Sequence, residues 1–425
     1  MKVFIYINNK IYIVNRDDFI LFSIIGRGAF SKVWKVQYKS TKEFFALKEM
    51  SKVKLIDNHN IKNILNERDL LSKLNHPFIV NMHFSFQDNN NLYLVNDLLT
   101  GGDLRYHLFH QNTFNEKQTK FFISCIILGL EYCHSNLIIH RDIKPENVVL
   151  DKGGYAHLTD FGISKMQHEN NFNEGSGTPG YMAPEVLFGE NHTIVADYFS
   201  LGVLCYELMK GVKPYPGKSR KEYNVQIKNN PIQLNKIQNK GWSLLSADFI
   251  YKLLIIDPEK RLGSQHGIEE IKNHNWLKDI NWKNLYNGQL VSPFIPKGEK
   301  NYEYKFCNAD NLKDESTIER YREIIFSKEY KFAFNDYKYF NRYDIKSQEI
   351  KMIFFNIHDK IYKISKLPRN YSEDVLINEK KEDTKKIEMN TNHKRSISPR
   401  GIKPSKAFLD ANKFINKRKV LKIKY

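Results

Sequence analysis

Apolar and polar residues alternate from 3 to 14 on either side of Asn8-Asn9-Lys10, a period of two that predicts a short hairpin. Phe19 to Ile25 is β-rich and runs into Gly26-Arg27-Gly28-Ala29-Phe30-Ser31-Lys32-Val33, so a strand–turn–strand unit is expected there. Phe44-Phe45-Ala46-Leu47-Lys48 reads as a further strand. From Ile61 to Leu74 apolar residues fall at 61, 64, 65, 71 and 74, the spacing of one helical face. Asn91 to Leu99 predicts another strand. Gln118 to His134 is a long apolar-periodic stretch that predicts a buried helix, and Val148-Val149-Leu150 is a short apolar run behind it. Beyond Ile280 regularity falls away, punctuated by Pro293 and Pro296, and from Leu367 a Lys/Asn/Glu-rich composition predicts mainly disordered chain.

Candidate chemistry concentrates just after the long apolar helix. His140-Arg141-Asp142-Ile143-Lys144-Pro145-Glu146-Asn147 packs acids, permanent cations and an amide into eight residues. Phosphoryl transfer needs such a set, because the attacking hydroxyl must be aimed and must lose its proton late. Asp142 supplies a proton acceptor, Lys144 a charge to offset the transferring group, and Asn147 an oxygen ligand for Mg²⁺. Taken singly, each residue reads as part of a solvated charged loop. The companion motifs decide against that. Upstream stand Gly26-Arg27-Gly28, Phe45-Ala46-Leu47-Lys48 and Glu67; downstream stand Asp160-Phe161-Gly162 and Ala183-Pro184-Glu185. Over about residues 19 to 280 the chain resembles a eukaryotic protein kinase. The run from Asp97 to Leu108, with Ile280-Asn281-Trp282 and Phe294-Ile295-Pro296, resembles the YANK branch of the AGC serine/threonine kinases.

The resemblance implies an α+β, two-lobed protein kinase fold. Its small β-rich lobe with one major helix would cover 19–95 and its larger helical lobe 99–278. An AGC-type C-terminal extension would follow over 279–345, with an N-terminal extension at 1–18 and a basic, largely disordered tail at 346–425. ATP and Mg²⁺ are the implied cofactors. Glycines at 26 and 28 would admit phosphate oxygens to backbone N–H groups with no Cβ in the way. Ser31 stands where a third glycine is usual and would tune that loop. Lys48 would hold the α- and β-phosphates and pair with Glu67. Val33 and Ala46 would cover the adenine, with Val149 beneath it. Asn96, an unusual polar gatekeeper, would lie behind it, while Asp97 and Leu99 present backbone groups.

Asn147 and Asp160 would hold the metal, and Asp142 would orient the substrate hydroxyl. Asp197 would brace the catalytic-loop backbone, and Arg261 would form a buried pair with Glu185. Lys144, two residues after Asp142, favours serine or threonine over tyrosine. Asp103 would reach the ribose or a basic substrate residue. Glu146, Glu207 and Asp103 fall where basophilic AGC kinases receive arginines. A preference for arginine two and three residues before the phosphorylated Ser/Thr is therefore expected.

In AGC kinases a phosphothreonine three residues before a Gly-Thr-Pro segment pairs with the arginine of the catalytic loop. Counting back from Gly177-Thr178-Pro179, Glu174 takes that place, with Arg141 as its cation. A carboxylate brings about one charge against roughly −1.5 to −2 for a phosphate, so it would order the loop in part without an upstream kinase. Phosphorylation of Ser176 is the rival route, and a flexible Gly/Asn-rich loop the plain reading. Phe334-Asn335-Asp336-Tyr337-Lys338-Tyr339 loosely resembles the aromatic motif of the extension, with lysine at the phosphoacceptor position; an aromatic cluster packed on itself is the alternative.

Composition adds less than charge does. A chain of 425 residues, 41% hydrophobic and 27% charged, has ample material for a buried core. No apolar run approaches the ~20 residues of a membrane span. Met1-Lys2-Val3 lacks the glycine that myristoylation needs. Cys125, Cys133, Cys205 and Cys307 lack metal-ligand spacing and read as reduced, mostly buried thiols. Net charge is +18, and residues 363 to 425 carry 18 Lys/Arg against 7 Asp/Glu, a net +11. Such a tail suits an acidic protein partner, an acidic lipid surface or nucleic acid, or serves only as a solubilising appendage. Lys417-Arg418-Lys419 reads as a nuclear or membrane-surface address on an otherwise cytoplasmic monomer. The competing functions are a pseudokinase scaffold and a tail-driven binding protein. No position required for catalysis is missing, and the tail lacks the aromatic interleaving of a single-strand platform.

Overall fold

The alternation at the start of the chain becomes an antiparallel hairpin of β1 (Val3–Ile7) and β2 (Lys10–Val14), in register from Val3↔Val14 to Ile7↔Lys10. The structure, a computed structural model, describes residues 3–7, 10–28, 30–167, 175–217, 219–230, 232, 241–298, 333, 334, 337, 339 and 340. Glu174, Cys307 and the basic tail lie outside the described residues, as do Asn335, Asp336 and Lys338.

The small lobe is an antiparallel sheet in which β3 (Phe19–Arg27), β4 (Ser31–Tyr38), β5 (Phe44–Ser51), β6 (Met82–Gln87) and β7 (Asn91–Asp97) run in the order β6-β7-β5-β4-β3. Strand periodicity sorts its side chains. Phe45 and Leu47 of β5 join Tyr93 and Val95 of β7 in a core on one face. Met50, Leu92 and Leu94 face the other way, onto α1 (Lys52–Asp57) and α2 (Ile61–Leu71). Ala46 and Lys48 share the second face and open into the cleft. The helical pattern to Leu74 predicts a longer α2 than forms. The chain tightens at Lys73 N→Leu70 O and Leu74 N→Leu71 O, ahead of Pro77, which no helix accommodates easily.

The larger lobe holds α3 (Leu104–Gln111), α4 (Glu116–Ser135), the short strands β8 (Ile138–Ile139), β9 (Val148–Leu150), β10 (Ala156–Leu158) and β11 (Lys165–Met166), then α5 (Pro184–Phe188), α6 (Val195–Lys210), α7 (Arg220–Asn229) and α8 (Leu244–Leu253). Asn115 opens α4 with a capping box, bonding the Gln118 N–H while the Gln118 side chain returns to the Asn115 N–H. The apolar faces of α4 and α6 form one core with Phe249, Ile250 and Trp276. That core carries the short loops of the site on a rigid base.

Described residues beyond Ile280 pack on both lobes. Phe294 meets the rings of His107, Phe114 and Phe122 at 5.0, 5.4 and 5.9 Å. Phe334 and Tyr337, 4% and 0% exposed, sit in the same cluster as Ile64, Leu70 and Leu71 of α2. Lys52 lies over the Phe334 ring at 5.4 Å and Arg68 over the Tyr337 ring at 5.8 Å. Gln87 donates to the Phe334 carbonyl, and β12 (Tyr339–Phe340) pairs antiparallel with β6 at the sheet edge. These two aromatic residues therefore dock on the small lobe, which corrects the reading of a cluster packed on itself. Met50 of β5, Val53 and Leu55 of α1, and Ile64 and Leu70 of α2 belong to the apolar groove that receives them.

Candidate active site

The cleft between the lobes is a cavity of about 470 Å³. Gly26, Gly28, Val33, Ala46, Lys48, Glu67, Asn96, Asp97, Leu99, Asp103, Glu146, Asn147, Val149 and Asp160 all line it, so every residue expected at the nucleotide lies on its wall. A Cβ on Gly28 would come within 2.8 Å of Ser31 Oγ, whereas one on Gly26 would make ordinary contact with Val33. A side chain at the second glycine would push the Ser31 hydroxyl aside, whereas the first leaves room for a ligand. Asn96, the expected gatekeeper, pairs with Ala46 across β5 and β7 and lines the cleft. Its Oδ1 is buried with no hydrogen-bond partner among the described residues.

On the roof, Lys48 Nζ donates to Glu67 at 2.7 and 3.0 Å, with the Glu67 side chain 4% exposed. Burial works against the Lys48 charge, but Glu67 and Asp160 outweigh it and hold the ammonium above its ordinary pKa. Asn66 adds a link the sequence reading missed, donating to Ser164 O at 2.6 Å and tying α2 to the segment after Asp160.

On the floor, Asp142 is the hub. Thr178 Oγ1 donates to Asp142 Oδ1 at 2.6 Å, Lys144 Nζ to Oδ2 at 2.6 Å, and Asn147 Nδ2 to Oδ2 at 2.8 Å. Lys144 also meets Thr178 Oγ1 at 2.7 Å, closing a ring of three side chains. Asn147 spends its amide N–H groups on Asp142, and its oxygen is left to face the cleft. Asp160 adopts φ 63 and Arg141 φ 66, backbone conformations that cost non-glycine residues about 1–3 kcal/mol each and persist only where surroundings impose them. Phe161, fully buried 4.8 Å from the His140 ring, holds Asp160 in place. Burial raises the Asp160 carboxyl, yet Lys48 and the Gly162 N–H prevail and keep it below the usual carboxylate range. Two oxygen-bearing side chains on the wall of this cavity fit Mg²⁺, which takes few protein ligands and completes its shell from substrate phosphates and water.

Two buried anchors hold this floor. Asp197 accepts from the His140 and Arg141 N–H groups at 2.9 and 2.8 Å and lies 2.9 Å from His134 Nε2. Burial pushes its carboxyl up, but the neighbours that accompany it, His134 foremost, bring it below the usual carboxylate range. Arg261 donates to both oxygens of Glu185 at 2.6 and 2.9 Å and rests 5.1 Å over Phe199, the residue at a position where tryptophan is common. Arg141 Nε donates to Ile163 O at 2.7 Å; Glu174, its expected partner, lies outside the described residues.

Both carboxylates expected to receive a substrate arginine already meet a cation of this chain, Glu207 with its side chain 4% exposed and Glu146 with its side chain 44% exposed. Arg105 occupies both, with Nε to Glu146 at 2.9 Å and Nη1 to Glu207 at 3.0 Å, while Nη2 donates to the Tyr181 hydroxyl at 2.6 Å. Asp103 caps α3 by accepting the Tyr106 N–H at 2.7 Å. Arg105 and Tyr181 are the site residues that sequence reasoning missed.

The fold and the cleft are joined by a direct comparison. The family model for the protein kinase domain matches residues 19–277. The chain belongs to the protein kinase family. It is 39% identical over 288 residues to the serine/threonine-protein kinase AtPK1/AtPK6 of Arabidopsis thaliana, covering 67% of this chain and 61% of that protein. It is 40% identical over 286 residues to the serine/threonine-protein kinase gad8 of Schizosaccharomyces pombe (67% of this chain, 49% of that protein). With the serine/threonine-protein kinase Sgk1 of Gallus gallus it shares 38% over 284 residues, 66% of this chain and 65% of that protein. The match thus spans between about half and two thirds of the length of these curated relatives. Among the described residues no helix is long and apolar enough to cross a membrane. Cys125, Cys133 and Cys205 are free and buried, and burial pushes the Cys125 thiol up to about 12.

Proposed function

We propose that this chain transfers the terminal phosphoryl group of ATP to serine and threonine hydroxyls of protein substrates. The observation that carries the reading is the ring of Asp142, Lys144 and Thr178, set below a closed Lys48–Glu67 pair. In this mechanism the substrate hydroxyl takes the place of Thr178 Oγ1 or shares Asp142 with it. As its oxygen bonds to the phosphorus, the O–P bond to the leaving ADP breaks and the proton passes to Asp142. Lys144 stays within reach of both the carboxylate and the transferring oxygens. Lys48, fixed by Glu67, holds the α- and β-phosphates. Mg²⁺, when bound by Asp160 and the Asn147 oxygen, neutralises charge on the phosphates. Proton acceptance of this kind contributes roughly 10²–10⁴-fold, and preorganised charge supplies much of the rest.

Within that class we assign the chain to the AGC group, nearest the YANK branch, on its Asp97–Leu108 run and on the docking of Phe294, Phe334 and Tyr337. The basic segment from 363 to 425 is assigned contact with an acidic partner, whether protein, lipid surface or nucleic acid, by a monomeric cytoplasmic enzyme with nuclear or membrane-peripheral excursions. The test is a mixed Ser/Thr/Tyr peptide pool incubated with ATP and Mg²⁺ and read by mass spectrometry. Phosphate on Ser and Thr is expected; phosphate on Tyr alone would overturn the class.

A further inference from the structure

Arg105 sits at the start of α3, and its partners come from three distant parts of the chain. Glu146 lies four residues beyond Asp142 in the catalytic loop, and Tyr181 lies three residues beyond Thr178, which bonds Asp142. Glu207 rises from α6 beneath them. Two or three extended residues span only about 7–10 Å, so a peptide whose hydroxyl reaches Asp142 brings the residues just before it close to the loop that carries Glu146. The wall would be acidic without Arg105. Glu207 is 4% exposed and both its oxygens are engaged, one by Arg105 and the other by the Tyr181 hydroxyl. Lys213 places a second cation 4.4 Å over the Tyr181 ring, on the same wall.

Neighbouring charge favours the guanidinium in this place. Burial lowers its pKa, but Tyr181, Glu207 and Glu146 more than reverse that and drive it upward. A substrate arginine would have to displace a partly buried, multiply bonded guanidinium to gain the same contacts. Such charge-assisted bonds are among the stronger ones, so the exchange gains little.

We infer that Arg105 is a built-in substitute for a substrate arginine, so that this kinase accepts peptides with uncharged residues two and three places before the phosphorylated Ser/Thr. The inference rests on the kinase reading and refines its substrate class. It also makes Arg105 a specificity-determining residue.

The test compares two peptides that differ only in Arg or Ala at those two places, using the full chain with ATP and Mg²⁺. Wild type is expected to show kcat/KM values within about threefold of each other, and Arg105→Ala to favour the arginine peptide by about tenfold, chiefly through KM. Arg105→Lys, which keeps a cation but loses the planar fork, should fall between them. Wild type that already favours the arginine peptide tenfold, with no gain in Arg105→Ala, overturns the inference while leaving the kinase reading intact. Should Arg105→Ala fail to fold by its melting curve, the wild-type ratio and Arg105→Lys still decide. Transfer to neither peptide, by wild type as by Asp142→Ala, overturns the kinase reading and this inference with it.

Discussion

Removing Arg261 should cost more stability than any surface change in the molecule. All five of its N–H groups are spoken for: Nε to Ile255 O at 3.0 Å, Nη1 to Glu185 at 2.6 Å and Val195 O at 3.0 Å, Nη2 to Glu185 at 2.9 Å and Ile256 O at 3.1 Å. The side chains are 0% and 2% exposed, so water cannot take over. Arg261→Ala strands the Glu185 carboxylate and the carbonyls together. Breaking a buried pair on one side costs about 3–5 kcal/mol, a large share of the roughly 5–15 kcal/mol that keeps a domain folded. For a kinase-sized domain that corresponds to a fall in Tm of about 5–10 °C. The assay is urea unfolding read by fluorescence, with the slope checked to be unchanged so that the midpoint alone reports stability. Replacing both partners by apolar residues, as in Glu185→Leu with Arg261→Met, should recover most of the loss. Arg261→Ala within about 1 kcal/mol of wild type would refute the reasoning, because it would mean that Glu185 finds other partners.

Other expectations follow from particular contacts. His76, 6% exposed, is held near a pKa of about 4 by burial and by His157, against an ordinary 6.5. The unfolded chain therefore binds a proton that the folded chain refuses between about 4 and 6.5, so stability should rise with pH across that window and be lost as pH falls through it. His76→Gln should flatten that slope in urea titrations at a series of pH values. The Tyr337 hydroxyl is buried without a partner among the described residues, so Tyr337→Phe should leave stability unchanged or raise it by about 1 kcal/mol. Tyr337→Ala should loosen the docked segment, cost about 3–5 kcal/mol of packing and lower turnover by weakening the brace on α2, measured by melting and peptide assay. Protein made without phosphorylation should already be active, with Glu174→Ala several-fold slower and Ser176→Ala unchanged. Dephosphorylated protein that stays inert until Ser176 is modified would reverse that assignment.

What could be read from the sequence was local. Lys48 follows apolar residues in a strand, Glu67 lies in an apolar-periodic helix, and the kinase resemblance implied the pair that meets at 2.7 Å. Asp142, Lys144 and Asn147 share one loop, and spacing alone brings them together. Arg105 was not legible, because its partners lie 41, 76 and 102 residues away, and nothing near it in sequence announces the contact. The aromatic pair at Phe334 and Tyr337 was visible, but not the groove that receives it. That groove is assembled from α1, α2 and β5 and has no linear signature.

The most direct test of the central claim measures ATP binding and phosphate transfer separately in wild type and Asp142→Ala. Asp142 lies on the floor and not among the groups expected to hold the nucleotide, so calorimetric ATP affinity should change little. Transfer of radiolabelled phosphate to a Ser/Thr peptide should fall by about 10²-fold or more. Wild type that binds ATP with Mg²⁺ yet transfers no phosphate, or Asp142→Ala that transfers as fast as wild type, would contradict the account.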